Sequence, residues 1–120
     1  MAGGIDLSFQ EQRECGVVAE IIRKNTKSCH DPFAMSMKLV AEELLLLSAV
    51  VFTNFRTERT LNFVRDVLKT AQMSPARQQS HPAYKDYQAA KELTEKFLAR
   101  SEFHPSSPAK VVTSGLVFAS

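Results

Sequence analysis

Cysteine and glycine are scarce in this chain, and neither sign of charge much outweighs the other. Two cysteines, Cys15 and Cys29, are too few and too loosely placed for a disulfide framework. No secretory signal is recognisable, so a reducing, cytosolic setting is expected. The four glycines are Gly3, Gly4, Gly16 and Gly115, and none makes a phosphate-cradling spacing. Fifteen Lys and Arg face thirteen Asp and Glu, a formal net charge of +2. That balance argues against the concentrated basic surface of a dedicated nucleic-acid binder. Long apolar runs are also missing. The most apolar stretch, Leu39 to Phe52, contains Glu42 and Glu43. It falls short of the ~20 apolar residues a membrane span needs, and it reads as a buried core helix.

What is present suits one ordinary domain: 120 residues, 44% hydrophobic and 23% charged. Met1 to Gly4 reads as a short leader, and residues 5–120 as a single helical domain. Strand signals are nearly absent, because no stretch sustains period-two alternation between Asn-Gly or Asp-Gly turns. Helix punctuation recurs instead. Asp6 or Ser8 can cap a first helix reaching about Asn25, with Phe9, Val17, Val18, Ile21 and Ile22 on its apolar face. Gly16 weakens that helix or permits a close helix contact, and Asn25 to Ser28 reads as a loop.

Asp31-Pro32 is the clearest helix start, a capping carboxylate followed by a residue with no N–H to satisfy. From there a helix is predicted to about Thr53 through Met37, Val40, Leu44, Leu47 and Val51. Its apolar stripe is so wide that Leu45, Leu46 and Val50 also need cover, which makes it the central helix, about 31–53. Thr57 or Thr60 can begin a third helix carrying Leu61, Val64, Leu68 and Ala71. Met73 to Ser80 reads as a polar linker, and Pro82 opens a fourth helix with Tyr84, Tyr87, Leu93 and Phe97 inward. Ser107-Pro108 then caps a fifth, with Val111, Val112, Leu116 and Phe118, which meets no stop signal before Ser120. The expectation is an all-α, compact bundle of about five helices around the central one.

Catalytic and metal signatures are thin. Cys29-His30-Asp31 is consecutive, whereas a nucleophile, base and orienting acid usually meet in space from distant positions. A zinc site would draw on Cys15, Cys29, His30 and one more His, but packed thiols and surface imidazoles are the simpler expectation. Glu42 and Glu43 lack the Glu-x-x-His partner of a di-metal helix pair, and read as the solvent edge of a core helix. Basic residues form two loose groups. Arg23, Lys24 and Lys27 lie near the first loop; Arg56, Arg59, Arg65, Lys69 and Arg77 run along the third helix and its flanks. A solvated face is the ordinary explanation, and a surface for phosphates or acidic partners the functional one.

One ordered pattern goes further. Asp31-Pro32-Phe33 precedes the long apolar helix, and Leu61-Asn62-Phe63-Val64-Arg65-Asp66-Val67-Leu68 follows it. Then come His81-Pro82-Ala83-Tyr84-Lys85-Asp86-Tyr87 and Ser107-Pro108-Ala109-Lys110-Val111-Val112-Thr113-Ser114. This resembles the all-alpha domain of type IV secretion coupling proteins, the hexameric ATPases of conjugative DNA transfer. The family often carries Trp after Asp-Pro-Phe, where this chain has Ala34. The resemblance implies an insert from a larger ATPase, held at the cytoplasmic face of the membrane without touching it. It would dock relaxase, accessory relaxosome proteins or effector proteins, and contact DNA weakly. It also implies no cofactor and no catalysis in this chain, with ATP and Mg²⁺ used by the parent. Candidate partner-binding residues are Arg56, Arg59, Arg65, Lys69, Arg77, Gln78 and Gln79. The alternative is a free-standing helical DNA-binding or adaptor protein, with a turn at Asn54 to Thr57 and a reading helix from Thr60 bearing Arg59, Asn62, Arg65, Asp66 and Lys69.

Overall fold

A computed structural model describes residues 4–71 and 80–102 of the chain. They form four α-helices: α1 (Phe9–Thr26), α2 (Pro32–Ala49), α3 (Asn54–Thr70) and α4 (Tyr84–Glu102). No strand occurs among the described residues, and no helix among them is long and apolar enough to cross a membrane. The fifth expected helix lies outside the described residues, as does all of the polar linker except Ser80.

Local chemistry explains the helix ends. Ser8, rather than Asp6, caps α1 in a reciprocal box: its hydroxyl accepts from the Glu11 N–H, and the Glu11 carboxylate accepts from the Ser8 N–H. The helix takes in the first half of the expected loop by continuing through Thr26, whose buried hydroxyl donates to the Ile22 carbonyl at 2.8 Å. Asp31 caps α2 as expected, accepting from the Ala34 N–H at 3.2 Å, with Pro32 at the first helical position. That helix stops at Ala49, short of Thr53, where Val50 turns to extended backbone. Gln12 reaches across from α1 and donates to the Leu47 carbonyl at 3.1 Å, which helps satisfy the last turn. Thr53 then caps α3 by accepting from the Arg56 N–H. Thr57 and Thr60, the expected starts, lie inside the helix and are buried.

Each helix packs on two neighbours: α1 on α2 and α4, and α3 on α2 and α4. The pair α1 and α2 is packed most extensively. Small residues make this possible. Cys15, Ala19 and Ile22 on α1 meet Ala41, Leu44 and Leu47 on α2 in the core. A Cβ at Gly16 would sit 3.2 Å from Ser48, so this glycine marks a close helix approach. The apolar face expected of α1 is rotated as a result: Phe9, Val17 and Ile21 are exposed, and the smaller Cys15 and Ala19 point inward. On α2 the inner line Met37, Val40, Leu44 and Leu47 is buried as expected, while Leu46, Val50 and Val51 stay exposed. The helix therefore forms one wall of the bundle, with solvent along its outer edge. Leu61, Val64, Leu68 and Ala71 of the third segment are all buried, and so are Tyr87, Leu93 and Phe97 of α4.

The amino-terminal segment is part of the packing. Gly4 does not belong to a detached leader: its φ is +94°, and a Cβ there would lie 2.4 Å from the Asn54 carbonyl carbon. This turn lets the Ile5 N–H donate to the Asn54 carbonyl at 3.0 Å and buries the Ile5 side chain. At the other side, the Arg100 guanidinium donates to the Asp6 carbonyl at 3.0 Å and pairs with Glu11.

A single carboxylate joins three parts of the chain. His81, 50 residues away in sequence, places Nε2 3.0 and 3.1 Å from the two Asp31 oxygens. The Ala83 N–H donates to His81 Nδ1 at 3.0 Å, which leaves Nε2–H as the donor to Asp31. Phe33 packs edge-on against the same imidazole at 4.8 Å between ring centroids, and lies 5.7 Å from Tyr87. Partial burial acts to raise the Asp31 pKa, but the His81 and Ala34 hydrogen bonds outweigh it and hold the carboxyl below the ordinary aspartate value.

Three substitutions test this architecture by urea unfolding. Leu44→Ala is expected to cost roughly 2–5 kcal/mol, as for other buried leucines, while Leu46→Ala on the exposed edge should cost well under half as much. Equal losses would contradict the placement of the two faces. Gly4→Ala, which forces a side chain into positive φ and into the Asn54 backbone, should cost roughly 1–3 kcal/mol, whereas a detached leader would show no change.

Candidate docking site

The basic residues expected on the third helix do lie on α3, but not on one face. At about 100° per residue, Arg56 and Arg65 are about 180° apart around the axis. Arg56 borders one edge of the buried face, its guanidinium stacked 4.7 Å above the Phe52 ring, while Arg59 points outward to solvent. Arg65 and Lys69, one turn apart, flank the other edge, which faces α4. Arg77, Gln78 and Gln79 lie outside the described residues.

Between α3 and α4 lies a cavity of about 230 Å³. Its floor is Leu68, Tyr87 and Thr94, and its rim carries Arg65, Lys69, Lys91 and Glu95. Arg65 is oriented by donating to Asn62 Oδ1 at 2.7 Å. Glu58, on the same edge of α3, accepts from the Ser101 hydroxyl. Lys69 and Lys91 are exposed and have no ion-pair partner among the described residues. Three cations thus converge from two helices on one small opening against a single carboxylate. Such a site suits one oxyanion group, a carboxylate or a phosphate, held by charge at the rim; the Thr94 hydroxyl beneath already donates to the Ala90 carbonyl.

Comparison with protein-family profiles, with curated proteins and with solved structures finds no match to this chain.

Lys91 was missed by sequence reasoning. It sits on α4 beside Glu92 and Glu95, and reads there as part of a solvated, mixed-charge face. Only the packing of α3 on α4 brings it to Arg65 and Lys69. The turn expected at Asn54 to Thr57 is helical, since α3 begins at Asn54; the connection from α2 runs instead through Val50 to Thr53. Glu42 is exposed and Glu43 half-buried, the solvent edge that was expected.

The cysteines and histidines are arranged differently from the zinc set considered above. Cys15 is fully buried between helices, and His30 is exposed. His81, expected at the surface, is instead half-buried, with a side chain 11% exposed against Asp31. Burial, aided by the nearby Glu14 charge, pushes the Cys15 thiol up to about 12. Cys29 is half-buried. At mildly alkaline pH a thiol reagent should therefore label Cys29 promptly in the native chain and Cys15 only as fast as the chain opens. Two equally fast cysteines would show that the α1–α2 contact is looser than described.

Proposed function

We propose that this chain is a substrate-docking domain of the type IV secretion coupling class, held on the cytoplasmic side of the membrane by a parent ATPase. In this reading it binds relaxase, accessory relaxosome or effector proteins, touches DNA weakly, and carries no catalysis of its own. ATP and Mg²⁺ act in the parent. A fifth helix after Ser107 belongs to the same reading.

The observation that carries it is the α3–α4 cavity, where Arg65, Lys69 and Lys91 converge on a space sized for one acidic group. A compact cluster of this kind suits an acidic side chain or a chain terminus of a protein partner. Exposed apolar side chains elsewhere, Phe9, Val51 and Phe55 among them, are also what a protein-binding domain presents. Two of the motifs on which the resemblance rests, Asp31-Pro32-Phe33 and His81-Pro82-Ala83, meet in one cluster, which supports treating them as one unit.

The test is direct binding of the purified chain to purified relaxase and accessory proteins from the same organism, and to arbitrary duplex DNA over a range of salt. Binding to a relaxosome protein, weakened about tenfold or more by Lys69→Glu with Lys91→Glu, is the expected result. Loss of ~1.4 kcal/mol per tenfold sets the scale. Tight, steeply salt-dependent binding to any duplex, with none to the proteins, would replace this reading with a DNA-binding adaptor.

A further inference from the structure

The α1–α2 connection and the turn before α4 bring three different ligand types together. Cys29 offers a thiol, Asp31 a carboxylate and His81 an imidazole, and their ligand atoms all lie within 4.8 Å of one another. All three residues are half-buried. They come from two parts of the chain: Cys29 and Asp31 from the α1–α2 connection, and His81 from the turn preceding α4. Cys29 Sγ has only a long contact to the Asn25 carbonyl, at 3.8 Å, so its lone pairs are not committed.

The geometry points to a divalent-metal site of the zinc class formed by Cys29, Asp31 and His81. Thiolate, carboxylate and imidazole are the donors zinc takes, and bond lengths of about 2.0–2.3 Å place tetrahedral ligand atoms roughly 3.3–3.6 Å apart. The Asp31 and His81 atoms are already near that spacing at 3.0 Å, and Cys29 needs to close by only about 1 Å. A thiolate and a carboxylate supply two negative charges to a doubly charged ion. Three protein ligands leave the fourth position to water. The metal would fasten the start of α4 to the start of α2 in place of the hydrogen bond that joins them without it.

Binding has a definite proton balance. The Cys29 thiol releases its proton. On His81 the proton must move from Nε2, which becomes the metal ligand, to Nδ1. Nδ1 then ceases to accept from the Ala83 N–H, so the 81–83 turn must shift and that N–H must find another acceptor. The tautomer is therefore a signature that a merely structural Asp31–His81 contact does not produce. This site does not depend on the docking reading, and neither result decides the other.

The experiment is titration of the reduced, chelator-treated chain with Zn²⁺ and with Co²⁺ as its spectroscopic stand-in. Expected are one metal per chain, a thiolate-to-cobalt absorption band, and a change of His81 from the Nε2–H to the Nδ1–H form in ¹H–¹⁵N spectra. Cys29→Ala leaves the Asp31 cap and the His81 contact in place, so its fold is preserved. It should abolish the band and weaken binding by at least about tenfold, the loss typical even of an outer-shell partner. Cys15→Ser should bind as the parent chain does. Absence of the thiolate band in the parent chain, its persistence in Cys29→Ala, or an unchanged His81 tautomer at saturating metal would overturn the assignment.

Discussion

The arrangement depends on the Asp31 carboxylate, which serves two partners at once. One oxygen closes the amino terminus of α2 through the Ala34 N–H, and both oxygens face the His81 ring. Because the Ala83 N–H fixes the ring tautomer, this is a directed contact with the donor on the correct nitrogen. The start of α4 is thereby located relative to the start of α2, two helices that otherwise make little direct packing. Asn25 adds a second tie in the same region, donating to the buried Asp86 carboxylate at 2.8 Å. Beside these polar links the Phe33, His81 and Tyr87 rings pack together, while the Asp31 side chain stays partly open to solvent.

The second constraint is the size of the side chains between α1 and α2. Cys15, Gly16 and Ala19 let the backbones come close, and the larger Phe9, Val17 and Ile21 are left outside. A hydrophobic pattern read from α1 alone favours the opposite choice, since larger apolar residues bury more area. Shape wins here because a wide helix such as α2 needs a flat, small-residue surface to press its Leu44 and Leu47 against.

Local signals were legible in the sequence: the Ser8 and Asp31 caps, the inward line of α3, and the stripe of α4 all lie where spacing and capping chemistry put them. Where sequence reasoning failed, a tertiary partner decided. At the end of α2, for instance, Gln12 of α1 reaches the Leu47 carbonyl where the helix stops early. The Thr26 extension of α1, by contrast, goes with a local bond from its hydroxyl to the Ile22 carbonyl. Gly4 was set aside as a leader because nothing in its neighbours in sequence announces Asn54 as its contact. The same limit applies to the sites. Asp31 was recognised as a cap, but its second partner lies 50 residues on, and Lys91 joins Arg65 and Lys69 only through helix packing.

The division of the α3 cations bears on what kind of partner suits this surface. A duplex presents phosphates in long rows, so a protein that tracks it needs charge spread along an extended line. Arg56 lies about 180° around α3 from Arg65, and Arg59 lies between them, about 80° from Lys69, so the four fan around the helix instead of forming such a line. What remains on the α4 side is short and deep, with three cations over a cavity floored by Leu68, Tyr87 and Thr94. A recessed floor with an aromatic ring rewards a side chain that enters, and the charges above it reward one that ends in an oxyanion. Both preferences are met together by an acidic group presented on a protein, and only the second by a phosphate in a continuous backbone.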